Sequence, residues 1–389
     1  RQQSTVEETI RQQLQEDFNE SIDLTEESVF TTLAEVISTV LANNQEQSLQ
    51  EVYEAAFLET ATGIDLDRVV ALAGIQRRDA VHATGVQRFT SSQPVNQDYV
   101  IPNGTTVQTG GEEPIRFDTT ERVILQLFDN FESTDPLGKY TGDTGSFGIT
   151  SSNTNNGDGA LEMNASTFSH IFNPEITVQR GTEMHAYVRV GANETPRLTF
   201  AVQDRDNFYQ LAIDQGIGNI TLDRFESFST STIASDTADI PADTYLHVII
   251  NWAITGDMSF EVREMVAGNE QVIASDSGND ETWQSGNVGF AASDATSSRW
   301  DDYTTKAVTA NVRAVEGGTI GNVGPNTVTN LPSPISGVNT VTNPYSIGDT
   351  DYFDTGGQRF VAGDNRETDE ELRERTKQSV SQGGDATAD

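Results

Sequence analysis

Apolar residues return every four positions near the start of the chain. Val6, Ile10, Leu14 and Phe18 draw one slanted stripe on an otherwise charged segment, a spacing that predicts an amphipathic helix. Thr25, followed by Glu26 and Glu27, reads as an N-terminal cap with first-turn acids. It opens a second helix with Phe30, Leu33, Ile37, Val40 and Leu41 on one face. A third carries Leu49, Val52, Tyr53, Ala56 and Phe57 and stops at Gly63, and a short fourth runs from Asp65 through Leu66, Val69, Val70 and Ala73 to Gly74. Stripes of this kind form either intramolecular core or a partner surface. The first lies at the chain end with little sequence nearby to cover it, which favours a partner. Val6, Ile10, Leu14, Phe18, Phe30, Leu33 and Ile37 are therefore the expected partner-helix interface.

From Ala83 the period becomes that of strands. "TGVQRFTSS", "YVIPNGTTVQTG", "IRFDTT" and "RVILQLF" are short, turn-bounded and rich in β-branched and aromatic residues, with a tight turn signalled at Pro102, Asn103 and Gly104. A longer all-β stretch, Phe128 to about Thr305, holds "EMHAYVRV", "RLTFAVQD", "NFYQLAID", "TYLHVIINWAI" and "MSFEVREMV" between Gly, Asn, Asp and Ser clusters. Strands at this spacing without intervening helices predict an antiparallel sandwich or jelly roll. After Lys306 the alternation of Val308, Ala310, Val312 and Ala314 marks a second β segment, and Thr368 with Glu371 forms a capping box for a last helix. The expected organisation is an α+β, multidomain chain. It has helices at 1–80, a mixed β-rich core in two parts (81–127 and 306–365), an inserted sandwich at 128–305 and the start of a helical portion at 366–389.

Composition narrows the function classes. With 389 residues, 35% of them hydrophobic, there is chain enough for two or three cored domains. The formal charge of −37 arises from 60 acids against 23 basic residues, of which Lys139, Lys306 and Lys377 are the only lysines. The acids are spread between apolar positions, as on solvated faces of folded domains. Such a surface suits molar salt, where the Debye length is about 3 Å and self-repulsion is screened, so a halophilic source is expected. Duplex DNA, RNA and anionic lipid are disfavoured as ligands because no cluster of Lys and Arg is present. With no cysteine there are no disulfides, thiolate metal sites or Cys nucleophiles.

Motifs for catalysis are weak. His82, His170, His185 and His247 lie far apart with no metal-ligand spacing, so surface or core histidines are expected. Gly318, Gly321 and Gly324 imitate a nucleotide loop only in spacing, with no helix following. Glu261 and Glu264 are nearby acids that one strand would point to opposite faces, not a glycosidase pair. Asp204 and Asp206, or Asp301 and Asp302, offer the oxygen ligands that calcium prefers, although acids at strand ends need no metal. Trp252 reads as core, Trp283 and Trp300 as core or sugar-stacking surface, and Tyr209 is similarly ambiguous. No enzymatic activity is expected.

Four ordered stretches carry a resemblance: "GIDLDRVVALAGIQRRDAVHATG", "VIPNGTTVQTGGEEPIRFDTT", "VTANVRAVEGGTIGNVGPNTVTNLPSPISGVNTVTNP" and "RETDEELRERT". Outside 128–305 the chain resembles the baseplate J-like wedge proteins of contractile phage tails and related injection machines. The resemblance implies a non-catalytic wedge subunit, assembled in the host cytoplasm into a virion tail baseplate; taken with the halophilic composition, the expected setting is a haloarchaeal virus or a related injection particle. Its implied partners are other wedge subunits, including further copies of itself, the central hub or spike, and sheath-proximal proteins. It also implies that 366–389 begins a longer C-terminal portion.

Residues 128–305, with "DRDNFYQLAID", "TYLHVIINW" and "GNVGFAASDATSSRWDDYTT", resemble a laminin G or concanavalin-type jelly roll. Its terminal strands, "LFDNFE" and "RWDDYT", are then expected side by side, so that the strand ending near Leu127 resumes near Lys306. The alternative to the wedge role is a host-surface glycan binder acting through this sandwich.

Overall fold

A computed structural model describes residues 8, 12, 54–164, 166–293 and 297–384. Of the expected first helix only Glu8 and Gln12 are described, both helical; the expected second helix, the start of the third, and the interface residues Val6, Ile10, Leu14, Phe18, Phe30, Leu33 and Ile37 lie outside the described residues. The chain divides into two compact units, one from the described parts of Arg1–Asp79 and Arg366–Asp389, the other Ala80–Asn365.

The first unit is helical. Helix α1 (Gly63–Ala71) buries Leu66 and Val70, and α2 (Asp369–Gly384) contributes Leu372 to the same small core with Ala61 and Ile75. Gly63, expected to end a helix, instead opens α1 after an extended Thr62. Arg77 staples the unit: it pairs with Asp67 and Asp369, each at 2.6 Å, and donates to the Glu367 carbonyl at 2.8 Å. The capping box forms as spaced, with the Thr368 amide donating to Glu371 Oε2 at 2.8 Å and the Glu371 amide to Thr368 Oγ1 at 3.3 Å.

The second unit is built of strands. Its first are β1 (Thr84–Thr90), β2 (Tyr99–Ile101), β3 (Thr106–Thr109), β4 (Arg116–Thr119), β5 (Val123–Leu125) and β6 (Leu127–Asp129). Next come β7 (Thr141–Gly142), β8 (Phe147–Thr150), β9 (Ala160–Met163), β10 (Ser169–Gln179), β11 (Thr182–Val190), β12 (Thr195–Asp204) and β13 (Asn207–Asp214). They are followed by β14 (Asn219–Glu226), β15 (Ser229–Thr237), β16 (Thr244–Trp252), β17 (Asp257–Val266), β18 (Asn269–Asn279) and β19 (Ser285–Ser293). The last are β20 (Arg299–Ala314), β21 (Val328–Asn330) and β22 (Thr340–Thr342).

Two antiparallel sheets face each other across one core. One runs β15-β14-β13-β12-β19-β10-β7, the other β18-β17-β16-β11-β20. Between them pack Phe200, Tyr209, Trp252, Phe260, Phe290, Trp300 and Tyr303. A second core, with Phe89, Val107, Phe117, Val308, Ala310, Val312 and Ala314, lies inside β1, β3, β4, β21, β22 and the far half of β20.

Strand β20 belongs to both cores. Along one edge it pairs first with β11 and then with β4; along the other it meets β9, β6 and β1 in turn. Leu127 is opposite Thr304 and Asp129 opposite Tyr303, so the two ends of the sandwich segment are neighbours. The position expected to separate sandwich from β core, 305/306, falls within this strand, which runs on through two register shifts against β11, one between Asp301 and Thr304 and one between Thr305 and Ala307, with Asp302 at a φ of +47°: Trp300 and Tyr303 fill one core and Val308 to Ala314 the other. Gly181, in the turn between β10 and β11, seals the junction. Its φ is +89°, and a Cβ there would meet the Thr309 Cβ at 2.5 Å, while its carbonyl accepts the Thr309 hydroxyl at 2.9 Å.

Candidate functional site

Alternation on three neighbouring strands builds a polar surface. In β11, Met184, Ala186 and Val188 point into the core, which turns Glu183, His185 and Tyr187 outward; β16 does the same with His247 and Asn251, and β17 with Ser259, Glu261 and Arg263. Lys306 of β20 and the loop residues Gln93 and Pro94 border the resulting groove, a cavity of about 590 Å³. A second cavity of about 230 Å³ shares Gln93, Pro94 and Tyr187 with it and reaches Asn130, Asn156 and Asp302.

The charges in the groove are matched internally. Arg88 of β1 pairs with Glu183, and Arg263 holds Glu261 at 2.6 Å and Glu270 at 3.2 Å. Burial would raise the Glu183 carboxyl, but the hydrogen bond from His185 and the Arg88 charge outweigh it and hold the group at about 2. Burial opposes ionisation of Glu270 too, and the His247 charge with the Arg263 hydrogen bond overcomes it, leaving Glu270 below its ordinary value. Tyr187 stacks over the His247 ring with centroids 4.8 Å apart.

The residues singled out by sequence occupy other places. Asp204 caps the turn between β12 and β13, accepting the Asp206 amide and the Asn207 side chain, each at 2.8 Å. Asp301 is fully buried and accepts the Asn155 and Asn156 amides at 2.8 and 3.2 Å, while Asp302 accepts the Asn155 side chain at 3.3 Å. Burial, against the backbone donors and with help from the Asp302 charge, pushes the Asp301 carboxyl up to about 7. Among the described residues no group of three or more acids and histidines is arranged to hold a metal ion. Trp252 and Trp300 are wholly buried, Tyr209 is buried with its hydroxyl on Asp280 at 2.7 Å, and Trp283 packs beside Tyr209 at 4.7 Å. Gly318 precedes a single 3₁₀ turn and Gly321 ends it, where a Cβ on Gly321 would meet the Ala314 Cβ at 2.9 Å, so Gly321 serves close packing against Ala314.

In sequence the four histidines read as unrelated. His82 and His170 are separate, held by the Ala314 carbonyl at 2.8 Å and by the Arg205 carbonyl at 3.2 Å, but His185 and His247 touch, ring nitrogen to ring nitrogen, at 2.9 Å. Sixty-two positions divide them, and only the β11–β16 register, with Tyr187 opposite His247, brings them together. Outward alternation on both strands was the available signal, but the strand pairing was not.

Residues 281–349 match the Baseplate J-like protein barrel domain. The segment contains the whole of β20, β21 and β22. No curated protein matches the sequence. Among solved structures, the carbohydrate-binding module CBM66 from Bacillus subtilis is similar at 15% identity and a TM-score of 0.36, over 43% of this chain and 95% of that one. A Bacillus subtilis protein of unknown function with a galectin-like fold gives 13% identity and 0.35, over 46% of this chain and 94% of that one. The VIP36 exoplasmic/lumenal domain, in a Ca²⁺/Man3GlcNAc-bound form, gives 13% and 0.32, over 48% and 86%. These are likenesses of fold. The baseplate J-like match points to a structural role in a tail baseplate, and no helix among the described residues is long and apolar enough to cross a membrane.

Proposed function

We propose that the chain is a wedge subunit of a contractile-tail baseplate, linking sheath to hub during host attachment and genome delivery. The observation that carries this reading is the barrel match at 281–349, centred on a strand shared by both cores of the β unit. A subunit that transmits movement needs elements that do not hinge, and a 16-residue strand paired on both edges is stiffer than a linker. Its neighbours are then other wedge chains, the hub or spike and sheath-proximal proteins, and the charge of −37 suits a virus of a salt-loving host. A glycan-binding role for the sandwich is the second reading. It is favoured by the groove, whose charges are paired with each other and so suit a neutral, hydroxyl-rich ligand.

One experiment decides between them. A density map of purified particles should place this chain in several copies around the hub, with the groove covered by a neighbour if the sandwich is decoration, and open outward if it binds the host surface. Particles that lack the chain would overturn both readings.

A further inference from the structure

Four side chains in the groove form one hydrogen-bonded line. His185 Nδ1 lies 2.9 Å from His247 Nε2, His185 Nε2 lies 2.9 Å from Glu183 Oε1, and His247 Nδ1 lies 2.8 Å from Glu270 Oε1. The line crosses β11, β16 and β18. Its hydrogens can be counted. An ionised carboxylate only accepts, so each ring nitrogen that faces one carries a hydrogen. Two neutral imidazoles hold two hydrogens in total, and both are then used. The remaining nitrogens would oppose two lone pairs at 2.9 Å unless a third hydrogen lies between them.

We propose that Glu183, His185, His247 and Glu270 bind one proton as a unit, held between the two facing imidazole nitrogens, and that it latches the β17–β18 hairpin to β11. The proton comes from water and forms one N–H bond; no electron moves. Through Glu183 the latch continues to Arg88 of β1, in the second core, and through Glu270 to Arg263 of β17. The other groups facing the pair are Tyr187 of β11, Glu261 of β17 and Lys306 of β20. A second proton is opposed, since burial first and a charged His185 next push His247 below its ordinary value. The pair titrates as one site, not two.

The sign of the pH effect follows. The folded pair keeps one proton that the separated histidines of the unfolded chain release near pH 6.5, so above about that pH the stabilisation declines as pH rises and is gone past the release point of the folded pair; below it the unfolded chain binds two protons where the folded pair binds one, and stability falls again, so the contribution is greatest near pH 6.5. This holds whether or not the chain is a baseplate subunit.

The test uses the full chain with ¹⁵N-labelled histidine, whose four residues make the ring signals assignable. At pH 6 the rings of His185 and His247 should show three hydrogens between them and lose one in a single shared step on titration to pH 9. Over that step the unfolding equilibrium constant should rise up to about tenfold per pH unit in the native chain, and lose that slope in His185→Gln and His247→Gln. Two neutral rings at pH 6, or a glutamine variant that keeps the native slope, would overturn the proposal. The ring signals of the native chain decide it even if neither variant folds.

Discussion

His170 buries an imidazole by the opposite means to His185 and His247. It is fully enclosed, with Nε2 3.1 Å from the Thr199 hydroxyl, Nδ1 near the Arg205 carbonyl and the Phe208 ring at 4.4 Å. A carbonyl can only accept, so Nδ1 carries the hydrogen and Nε2 takes that of Thr199, which satisfies the neutral ring. Burial, only partly offset by the Arg205 carbonyl and the Asp143 charge, lowers its pKa to about 4. Between pH 6.5 and 4 the unfolded chain takes up a proton that the folded chain refuses, so stability falls with pH, by up to about 3 kcal/mol. Denaturant unfolding at pH 7 and pH 4 should therefore show the gap between the native chain and His170→Gln shrinking in acid. A constant gap would mean that the folded chain admits the proton. Composition gave no warning of such sites: Asp301 is as buried as Trp300, yet an aspartate beside a second aspartate reads as surface.

Elements were easier to read than residues where one face is apolar and the other is not. Strands β11 and β17 and the run Val308 to Ala314 alternate cleanly, and their inward residues fill the two cores as the pleat requires. The continuity of β20 was hidden because its first half carries Asp301, Asp302, Thr304 and Thr305, polar residues whose partners come from distant segments. Thr304 Oγ1 donates to the Val95 carbonyl at 2.6 Å, and the Gln126 amide donates to Thr305 Oγ1, also at 2.6 Å. The capping box, by contrast, is wholly local and needs no partner from elsewhere. Thr368→Ala should cost the helical unit about 1 kcal/mol by releasing the Glu371 amide and removing the hydroxyl that donates to the Glu371 carboxylate, while the amide of residue 368 still reaches that carboxylate. Amide exchange in the first turn of α2 should accelerate about fivefold while β20 is unaffected. Unchanged exchange would show that Arg77, bonded to Asp369 and to the Glu367 carbonyl, fixes this end of the helix without the cap.

At the scale of the whole β unit, the question is how far two cores that share a strand depend on each other. Leu127 stands opposite Thr304, so deleting 128–303 and joining these residues through Asn-Gly closes a hairpin in its native register. The cut keeps Thr304 and Thr305, whose hydroxyls both accept from or donate to the Gln126 backbone. What remains retains Phe89, Phe117 and Val308 to Ala314, together with the β1–β20 pairing from Ala307 to Arg313. It loses Ile254, which packs with Val86 and Phe360, and the Glu183 and Asn251 partners of Arg88. The shortened chain should fold cooperatively but be less stable than the intact unit. Burying Ile254 is worth roughly 2 kcal/mol, and the deleted Arg88 contacts add less because that side chain is partly exposed. Replacing Val86 and Phe360, no longer covered, by Thr and Gln should recover solubility without harming the fold, as judged by a sharp thermal transition. A molten or insoluble product from both versions would show that the sandwich half of β20 is needed to form the half that lines the second core, making the two cores one folding unit.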